Sequence, residues 1–187
     1  MKSLLFLLFT LLFASPLLAA NYKGIEYSLE PIYGYQKLEL KEPHEHVKWE
    51  YFYGARITGG YKSFTLEGMY SKTEVDETFL GTGEISRNVV EKLKLGFSSS
   101  YNFNSWSLAL LRIGAEIKQV SHHSITLSGT TSTKKEEDFS PYLGIGFEIY
   151  LKKFVAITLG VTAIFNEIPD DMWNNDYEYT SGVKILY

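Results

Sequence analysis

Alternation of side-chain character with a period of two residues is the feature that most constrains this chain. Near the beginning, Ile25, Tyr27, Leu29, Pro31, Tyr33 and Tyr35 alternate with Gly24, Glu26, Ser28, Glu30, Ile32 and Gly34. Successive side chains of a β-strand point to opposite faces of a sheet, so this period indicates strands rather than helices. The same alternation recurs along the chain and predicts eight strands, at 25–35, 49–61, 64–70, 89–103, 106–119, 139–151, 155–165 and 177–187.

The connections between these strands alternate in length. Three are tight turns at 62–63, 104–105 and 152–153, and four are long polar loops at 37–48, 72–88, 120–138 and 166–176. Short turns at one end, long loops at the other and an even strand number are typical of a transmembrane β-barrel. Within the fifth strand the apolar residues change parity between Leu110 and Leu111, which predicts a β-bulge there.

The two faces differ in a way that favours an apolar exterior and a polar interior. Ten of the 15 glycines lie on the polar face beside Glu, Lys and Arg, as a narrow eight-stranded interior requires. The apolar face carries few charges, Glu91 near a long loop being the clearest. Six aromatic residues near strand ends are expected in interfacial girdles: Tyr27, Trp49, Tyr51, Trp106, Tyr177 and Tyr187. The alternative is a soluble β-barrel or sandwich.

The first twenty residues have the composition of a secretory signal peptide. Lys2 precedes an apolar run at 4–13, and the segment ends in Ala19-Ala20. We predict cleavage after Ala20, so that 1–20 is the signal peptide and 21–187 the barrel domain. The absence of cysteine excludes disulfides and thiolate metal sites, and the net charge of −4 argues against nucleic-acid partners. We expect no cofactor.

The chain resembles the small outer-membrane β-barrel proteins of Gram-negative bacteria, the OmpA/OmpX/opacity-type group. The resemblance rests on the segment Pro141-Tyr142-Leu143-Gly144-Ile145-Gly146-Phe147 and on Val183, Ile185 and Tyr187 of the closing strand. It implies an all-β, eight-stranded antiparallel up-and-down transmembrane β-barrel in the outer membrane, with short periplasmic turns and long extracellular loops. It also implies lipid and lipopolysaccharide around the barrel. The closing strand is similar to the signal that the barrel-assembly machinery reads.

Charged residues on the polar face form the main candidate site. They are Glu26, Glu30, Glu50, Glu67, Glu116, Glu148 and Glu178, with Arg56, Lys92, Lys94, Arg112, Lys118 and Lys184. Buried charges must pair or remain hydrated. The network therefore either plugs and stabilises the barrel, or rearranges as a narrow channel for ions or small solutes.

The predicted loops hold weaker candidates. His44 and His46 in the first loop are weak candidates for a metal or pH-sensing site, and His122 and His123 are placed in the third. His122-x-Ser124 is similar to a short pattern of lipid A deacylases, which makes a lipid A-modifying enzyme a remote alternative. That loop lacks the surrounding motif, so we expect no enzymatic activity. The last loop contains Asp170, Asp171 and Asp176, a weak Ca²⁺ candidate, and the exposed pair Met172-Trp173.

Long polar loops on a rigid barrel also predict a function. The third loop is rich in Ser, Thr and charged residues and is expected to face the outside of the cell. We expect a structural or surface-interaction role, in adhesion or envelope integrity, with an extracellular ligand on a host, a neighbouring cell or lipopolysaccharide sugar.

Overall fold

The fold is a closed, all-β barrel of eight antiparallel strands. The computed structural model describes residues 25–40, 46–61, 63–79, 84–125, 131–166 and 175–187. The strands are β1 (Ile25–Leu40), β2 (His46–Tyr61), β3 (Phe64–Phe79), β4 (Glu84–Asn102), β5 (Ser107–Ile125), β6 (Thr131–Lys152), β7 (Val155–Ile164) and β8 (Asp176–Leu186). Each strand pairs with the next, and β1 pairs with β8. The predicted fold class is confirmed, whereas the predicted signal peptide lies outside the described residues.

The polarity of the barrel is the reverse of that of a soluble protein. Among the described residues, 35 large apolar or aromatic side chains are exposed and only 11 hydrophobic ones are buried, whereas 25 polar or charged residues are buried. Leu95 and Ile113 are 58% and 59% exposed, but Lys92 and Glu178 are 1% and 0% exposed. An apolar surface of this extent needs a non-aqueous environment, such as a lipid bilayer. In the described ranges no helix is long and apolar enough to cross a membrane.

The two ends of the barrel differ, and we call them the turn end and the loop end. At the turn end β2 and β3 connect through the turn at Ser63, β4 and β5 through 103–106, and β6 and β7 through 153–154. In the second turn the Asn104 side-chain oxygen accepts hydrogen bonds from the backbone nitrogens of Trp106 and Ser107 at 2.9 and 2.8 Å. This local pattern explains why the chain reverses there.

The strands extend further at the loop end than the sequence predicts. β3 and β4 remain paired as far as Phe79 and Glu84, and β5 and β6 as far as Ile125 and Thr131. The predicted loops 72–88 and 120–138 are therefore largely strand, and His122 and His123 lie in β5 rather than in a loop. Backbone pairing continues where the apolar exterior ends, because hydrogen bonds between strands do not require lipid-facing side chains.

The predicted bulge near Leu110 and Leu111 is wrong. β5 keeps an unbroken register with both neighbours, and Leu108 and Leu110 are 3% and 7% exposed, so their side chains point into the barrel. The change of parity in the sequence therefore reflects apolar residues on the inner face, not a change of register. A register shift does occur between β6 and β7, at Tyr150 and Lys152 beside the turn.

Aromatic rings surround the outside of the barrel. Tyr27, Trp49, Tyr51, Trp106 and Tyr177 are exposed, whereas Tyr187 is partly buried. Towards the loop end the rings of β1, β2 and β8 contact one another. Tyr35 stacks on Trp49 with ring centroids 5.2 Å apart, and Trp49 is 6.2 Å from Tyr179. Tyr and Trp favour the interface between lipid and water, so these rings are typical of such an interface near the loop end.

Candidate functional site

The polar face of the sequence becomes the barrel interior. Of the thirteen predicted charged residues, ten are buried: Glu30, Arg56, Glu67, Lys92, Lys94, Arg112, Glu116, Lys118, Glu148 and Glu178. Glu26, Glu50 and Lys184 are partly buried. A charge removed from water is costly unless an opposite charge compensates it, so the pairing inside the barrel determines what the interior can do.

Four residues near the middle of the barrel form an arginine quartet: Glu30, Arg56, Glu67 and Arg112. Arg56 Nη1 donates hydrogen bonds to both Glu30 carboxylate oxygens, at 3.0 and 3.1 Å. Glu67 Oε2 lies 3.3 Å from Arg112 Nε and 4.0 Å from Arg56 Nε. Thr158 also donates a hydrogen bond to Glu30. Two guanidinium groups and two carboxylates balance, so this quartet has no net charge.

A second group, the lysine quartet, consists of Lys92, Lys94, Glu116 and Glu178. Lys92 Nζ is 2.6 Å from Glu178 Oε1 and 3.5 Å from Glu116 Oε1. Lys94 Nζ contacts Glu178 Oε2 and lies 3.2 Å from Glu116 Oε2. Each ammonium thus contacts both carboxylates, and the lysine quartet is also neutral.

Tyr142 connects the two quartets. Its hydroxyl donates a hydrogen bond of 3.0 Å to Glu67 of the arginine quartet, and Lys94 of the lysine quartet lies 5.6 Å from the centre of its ring. Gly96 and Gly114 leave the space that this ring occupies, since a Cβ on either would lie within 3 Å of Tyr142 atoms. Small residues on neighbouring strands therefore permit a large side chain inside a narrow barrel.

The remaining charged residues pair nearer the two ends. Lys184 Nζ is 2.6 Å from Glu148 Oε1 towards the turn end, where Glu26 borders the same small cavity of about 30 Å³. Lys118 Nζ is 3.7 Å from Asp176 Oδ2 at the loop end. Asp176 is 2% exposed, so its expected place in a solvated Ca²⁺-binding loop is wrong. Glu50 lies 2.8 Å from Lys48.

Two apolar clusters inside the barrel were missed by the sequence analysis. The inner apolar cluster contains Ile32, Phe52 and Met69, and the outer apolar cluster contains Leu38, Val75 and Val90, with Val120 packed against them. Ile32 and Phe52 share the sequence parity of the acidic residues on the inner face, and this parity was the signal that could have placed them inside the barrel. The outer apolar cluster lies closer to the loop end than the lysine quartet does. On β1, which runs towards the loop end, Leu38 lies two residues after Gln36. On β4, which runs away from the loop end, Val90 lies two residues before Lys92. Apolar packing and paired charges together close the interior.

The other predicted sites do not assemble in the described part of the chain. No group of three or more His, Cys, Asp or Glu residues there could hold a metal ion. His44, the His46 side chain, Asp170, Asp171 and Met172-Trp173 lie outside the described residues. His122 is buried and its Nδ1 lies 2.7 Å from Asn88 Oδ1, so an amide occupies the place where a catalytic acid would orient the ring. Val183, Ile185 and Tyr187 lie at the end of the chain, where Tyr187 N donates to Tyr27 O.

The wall of the barrel is uneven at the loop end. β7 pairs with β6 only as far as Tyr142, and β2 pairs with β3 only as far as Tyr53 and Lys72. Beyond these points β3, β4, β5 and β6 continue together as a four-stranded sheet, which we call the extension. Its described part comprises residues 73–79, 84–91, 117–125 and 131–141. The extension rises above β7 and β8, which are shorter at this end.

Charges on the extension are exposed to water. Arg87 on β4 and Asp76 on β3 form two hydrogen bonds, of 2.6 and 2.9 Å. The hydrogen bond from Arg87 holds the pKa of the Asp76 carboxyl below its usual value and raises the pKa of Arg87. Both side chains are more than half exposed, so this pair shapes the surface and contributes little to stability.

Comparison with known proteins identifies the fold. No protein-family model and no curated protein matches the sequence. One similar solved structure is that of Ail, the attachment invasion locus protein of Yersinia pestis, in complex with the heparin analogue sucrose octasulfate. Our chain is 10% identical to it, with a TM-score of 0.59 over 87% of this chain and 99% of Ail.

Two further structures are similar to a comparable degree. The N-terminal β-barrel domain of Pseudomonas aeruginosa OprF is 10% identical with a TM-score of 0.59, over 87% of this chain and 97% of that domain. Neisserial surface protein A is 11% identical with a TM-score of 0.55, over 87% and 99%. The chain therefore has the fold of small eight-stranded outer-membrane β-barrels. This fold supports a location in the bacterial outer membrane.

Proposed function

We propose that the protein is a surface-interaction protein of the bacterial outer membrane, in which the barrel anchors the extension outside the cell. The observation that supports this most is that β3–β6 continue as a sheet beyond the last residue pair with β7. Loops or sheets held by a rigid scaffold are where binding residues concentrate. Ail, a protein of similar fold, is named the attachment invasion locus protein, which is compatible with this role. We propose no enzymatic activity.

The closed interior argues against the alternative role, a channel for ions or small solutes. Conduction would require both neutral quartets to separate and the outer apolar cluster to open. Conductance in a planar lipid bilayer distinguishes the two roles. We expect no reproducible unitary steps. Steps that change with Glu50→Gln or Arg56→Ala would show that the interior conducts.

The surroundings of the barrel are part of the proposal. The exposed apolar wall would contact outer-membrane lipid, and the rings around Tyr35, Trp49 and Tyr179 would lie among lipopolysaccharide headgroups. Val183, Ile185 and Tyr187 would form the signal for the barrel-assembly machinery. Substituting Tyr187 by Ala should reduce the amount of folded protein in cells while leaving folding into detergent unchanged.

A shortened extension tests the proposed role directly. Val120 and Glu136 pair across β5 and β6, so an Asn-Gly turn can replace residues 121–135 without changing the barrel. Cells displaying the full or the shortened chain are compared for attachment to epithelial cells, to heparin-coated wells and to bacteria that carry the same protein. We expect attachment to at least one of these to fall to the background of cells without the protein. Unchanged attachment by the shortened chain would contradict the proposal.

A further inference from the structure

Among the described residues, the upper part of β6 has a paired strand on one side only. Residues Thr131–Ser140 pair with β5, but no strand in the described part of the chain pairs with them on the other side. The last backbone hydrogen bond to the neighbouring segment is from Phe165 N to Pro141 O, at 3.0 Å, and the Ser140 hydroxyl donates to Asn166 Oδ1 at 3.2 Å. Backbone groups of alternate residues point to the same side of a strand, so those of Thr133, Lys135, Glu137 and Phe139 point to this open edge. Such an edge is a template for another strand.

The charges along this edge are complementary to those of a second copy of the same edge that runs in the opposite direction. The sequence at 134–138 is Lys-Lys-Glu-Glu-Asp. In an antiparallel pair of two such strands with Glu136 opposite Glu136, each Lys135 faces Glu137 and each Lys134 faces Asp138. This gives four pairs of opposite charge and one pair of like charge. Shifting the register by two residues places Lys135 opposite Lys135 or Glu137 opposite Glu137, with fewer favourable pairs. Opposite charges across strands stabilise a sheet, and like charges destabilise it.

The same register fits the backbone. In this register, residues whose N–H and C=O groups point to the open edge lie opposite one another. These pairs are Lys135 with Glu137 and Thr133 with Phe139. The second strand would run in the direction of β7 and would begin beside Pro141, where the pairing of β7 with β6 stops. Proline has no N–H to donate, which suits a position at the end of a ladder.

We propose that the open edge of β6 binds the same edge of a second copy of this chain, displayed by a facing membrane. Antiparallel pairing inverts the second barrel, so the two copies cannot lie in the same bilayer. Parallel pairing within one bilayer would bring Lys next to Lys and Glu next to Glu. Ten residues separate Pro141 from Thr131, which corresponds to about 33 Å of strand and, at a tilt near 40°, roughly 25 Å between the two barrel rims. The pairing would join neighbouring cells.

This inference rests on the proposed surface-interaction role and names its partner. The test uses phospholipid vesicles that contain the folded full-length protein, with clustering followed by light scattering. We expect wild-type vesicles to cluster several-fold above protein-free vesicles. An acidic variant, Lys134→Glu with Lys135→Glu, and a basic variant, Glu137→Lys with Asp138→Lys, should each fail to cluster alone because like charges then face each other.

Mixing the two variants provides the decisive result. In the register described, every lysine of the basic variant faces an acid of the acidic variant, so mixed vesicles should cluster again. Lys72→Glu with Arg87→Glu makes the same charge change on the outer face of β3 and β4 and should cluster as the wild type does. Slower gel migration after boiling checks that each variant folds.

Several outcomes would overturn the inference. Wild-type vesicles that do not cluster, variants that cluster alone, or a mixture that stays dispersed would each show that the edges do not pair in this register. If the vesicles stay dispersed but shortening residues 121–135 still abolishes attachment to epithelial cells or heparin, self-pairing is wrong and the surface role stands. If shortening changes no attachment, the proposed function itself fails.

Discussion

Among single substitutions that remove one charge from the lysine quartet, Glu178→Gln should destabilise the barrel most. Glu178 is 0% exposed and contacts both Lys92 and Lys94. The substitution leaves two buried ammonium groups and a single carboxylate, on Glu116. Removing one partner of a buried ion pair typically costs about 3–5 kcal/mol, because an uncompensated charge remains.

The geometry places the cost near the lower end of that range. Glu116 still lies 3.5 and 3.2 Å from the two ammonium groups and compensates part of the excess charge. A loss of about 3 kcal/mol changes the unfolding equilibrium roughly a hundredfold. Combining Glu178→Gln with Lys92→Met restores neutrality and leaves Lys94 paired with Glu116. This double variant should lie within about 1.5 kcal/mol of the wild type, because an apolar side chain of similar size replaces a buried charge.

The assay is equilibrium urea unfolding of the protein folded into lipid vesicles, followed by tryptophan fluorescence. Glu74→Gln is the matched control, since Glu74 is exposed and its partner Lys72 lies 2.8 Å away on the surface. We expect no measurable change for this control. The reasoning would be refuted if Glu178→Gln unfolded at the wild-type urea concentration, or if the double variant were as unstable as the single one.

Three further changes test other parts of the structure. Leu95→Arg places a charge on the lipid-facing wall and should cost about 2–4 kcal/mol in the same unfolding assay; a neutral result would mean that the faces are reversed. Gly34→Ala adds a Cβ that would lie 2.2 Å from the Phe52 ring and should cost about 1–3 kcal/mol, whereas an unchanged midpoint would mean that the interior is loosely packed. The Asp76 carboxyl should stay ionised to lower pH than an ordinary Asp, because its pKa is lowered by the hydrogen bond from Arg87. Arg87→Gln should raise that pKa towards the usual value, as followed by NMR, and an unmoved titration would contradict the pairing.

The fold could be predicted because each strand carries its own evidence. The alternation around Ile25, Leu95 or Leu159 assigns each residue to a face without knowledge of its neighbours. Strand ends are less certain from sequence. The outer face of β3 becomes polar at Lys72 and Glu74, yet the strand continues to Phe79. It does so because the residues beyond the apolar part of the strand still pair with β4. Sequence polarity therefore indicated the edge of the membrane rather than the end of the strand.

The candidate site could be predicted as a set of residues but not as a set of pairs. Parity places Lys92 and Glu178 on the inner face, but they belong to β4 and β8, which are not neighbours in the barrel. Their 2.6 Å contact across the interior depends on the tilt and stagger of all eight strands, which no local pattern contains. The pairing of Asp176 inside the barrel was not predicted for a related reason, since its partner Lys118 on β5 also lies across the barrel.

Labelling of single cysteines in living cells tests the central claim, that a membrane-embedded barrel presents its loop end outside the cell. The chain has no cysteine, so each introduced thiol is read separately. With a membrane-impermeant maleimide, Lys135→Cys should be labelled in intact cells, Asn104→Cys only after the outer membrane is permeabilised, and Leu95→Cys only after unfolding. Labelling of Asn104→Cys in intact cells would contradict the orientation. Labelling of Leu95→Cys in the folded protein would contradict the lipid-facing wall and with it the membrane barrel.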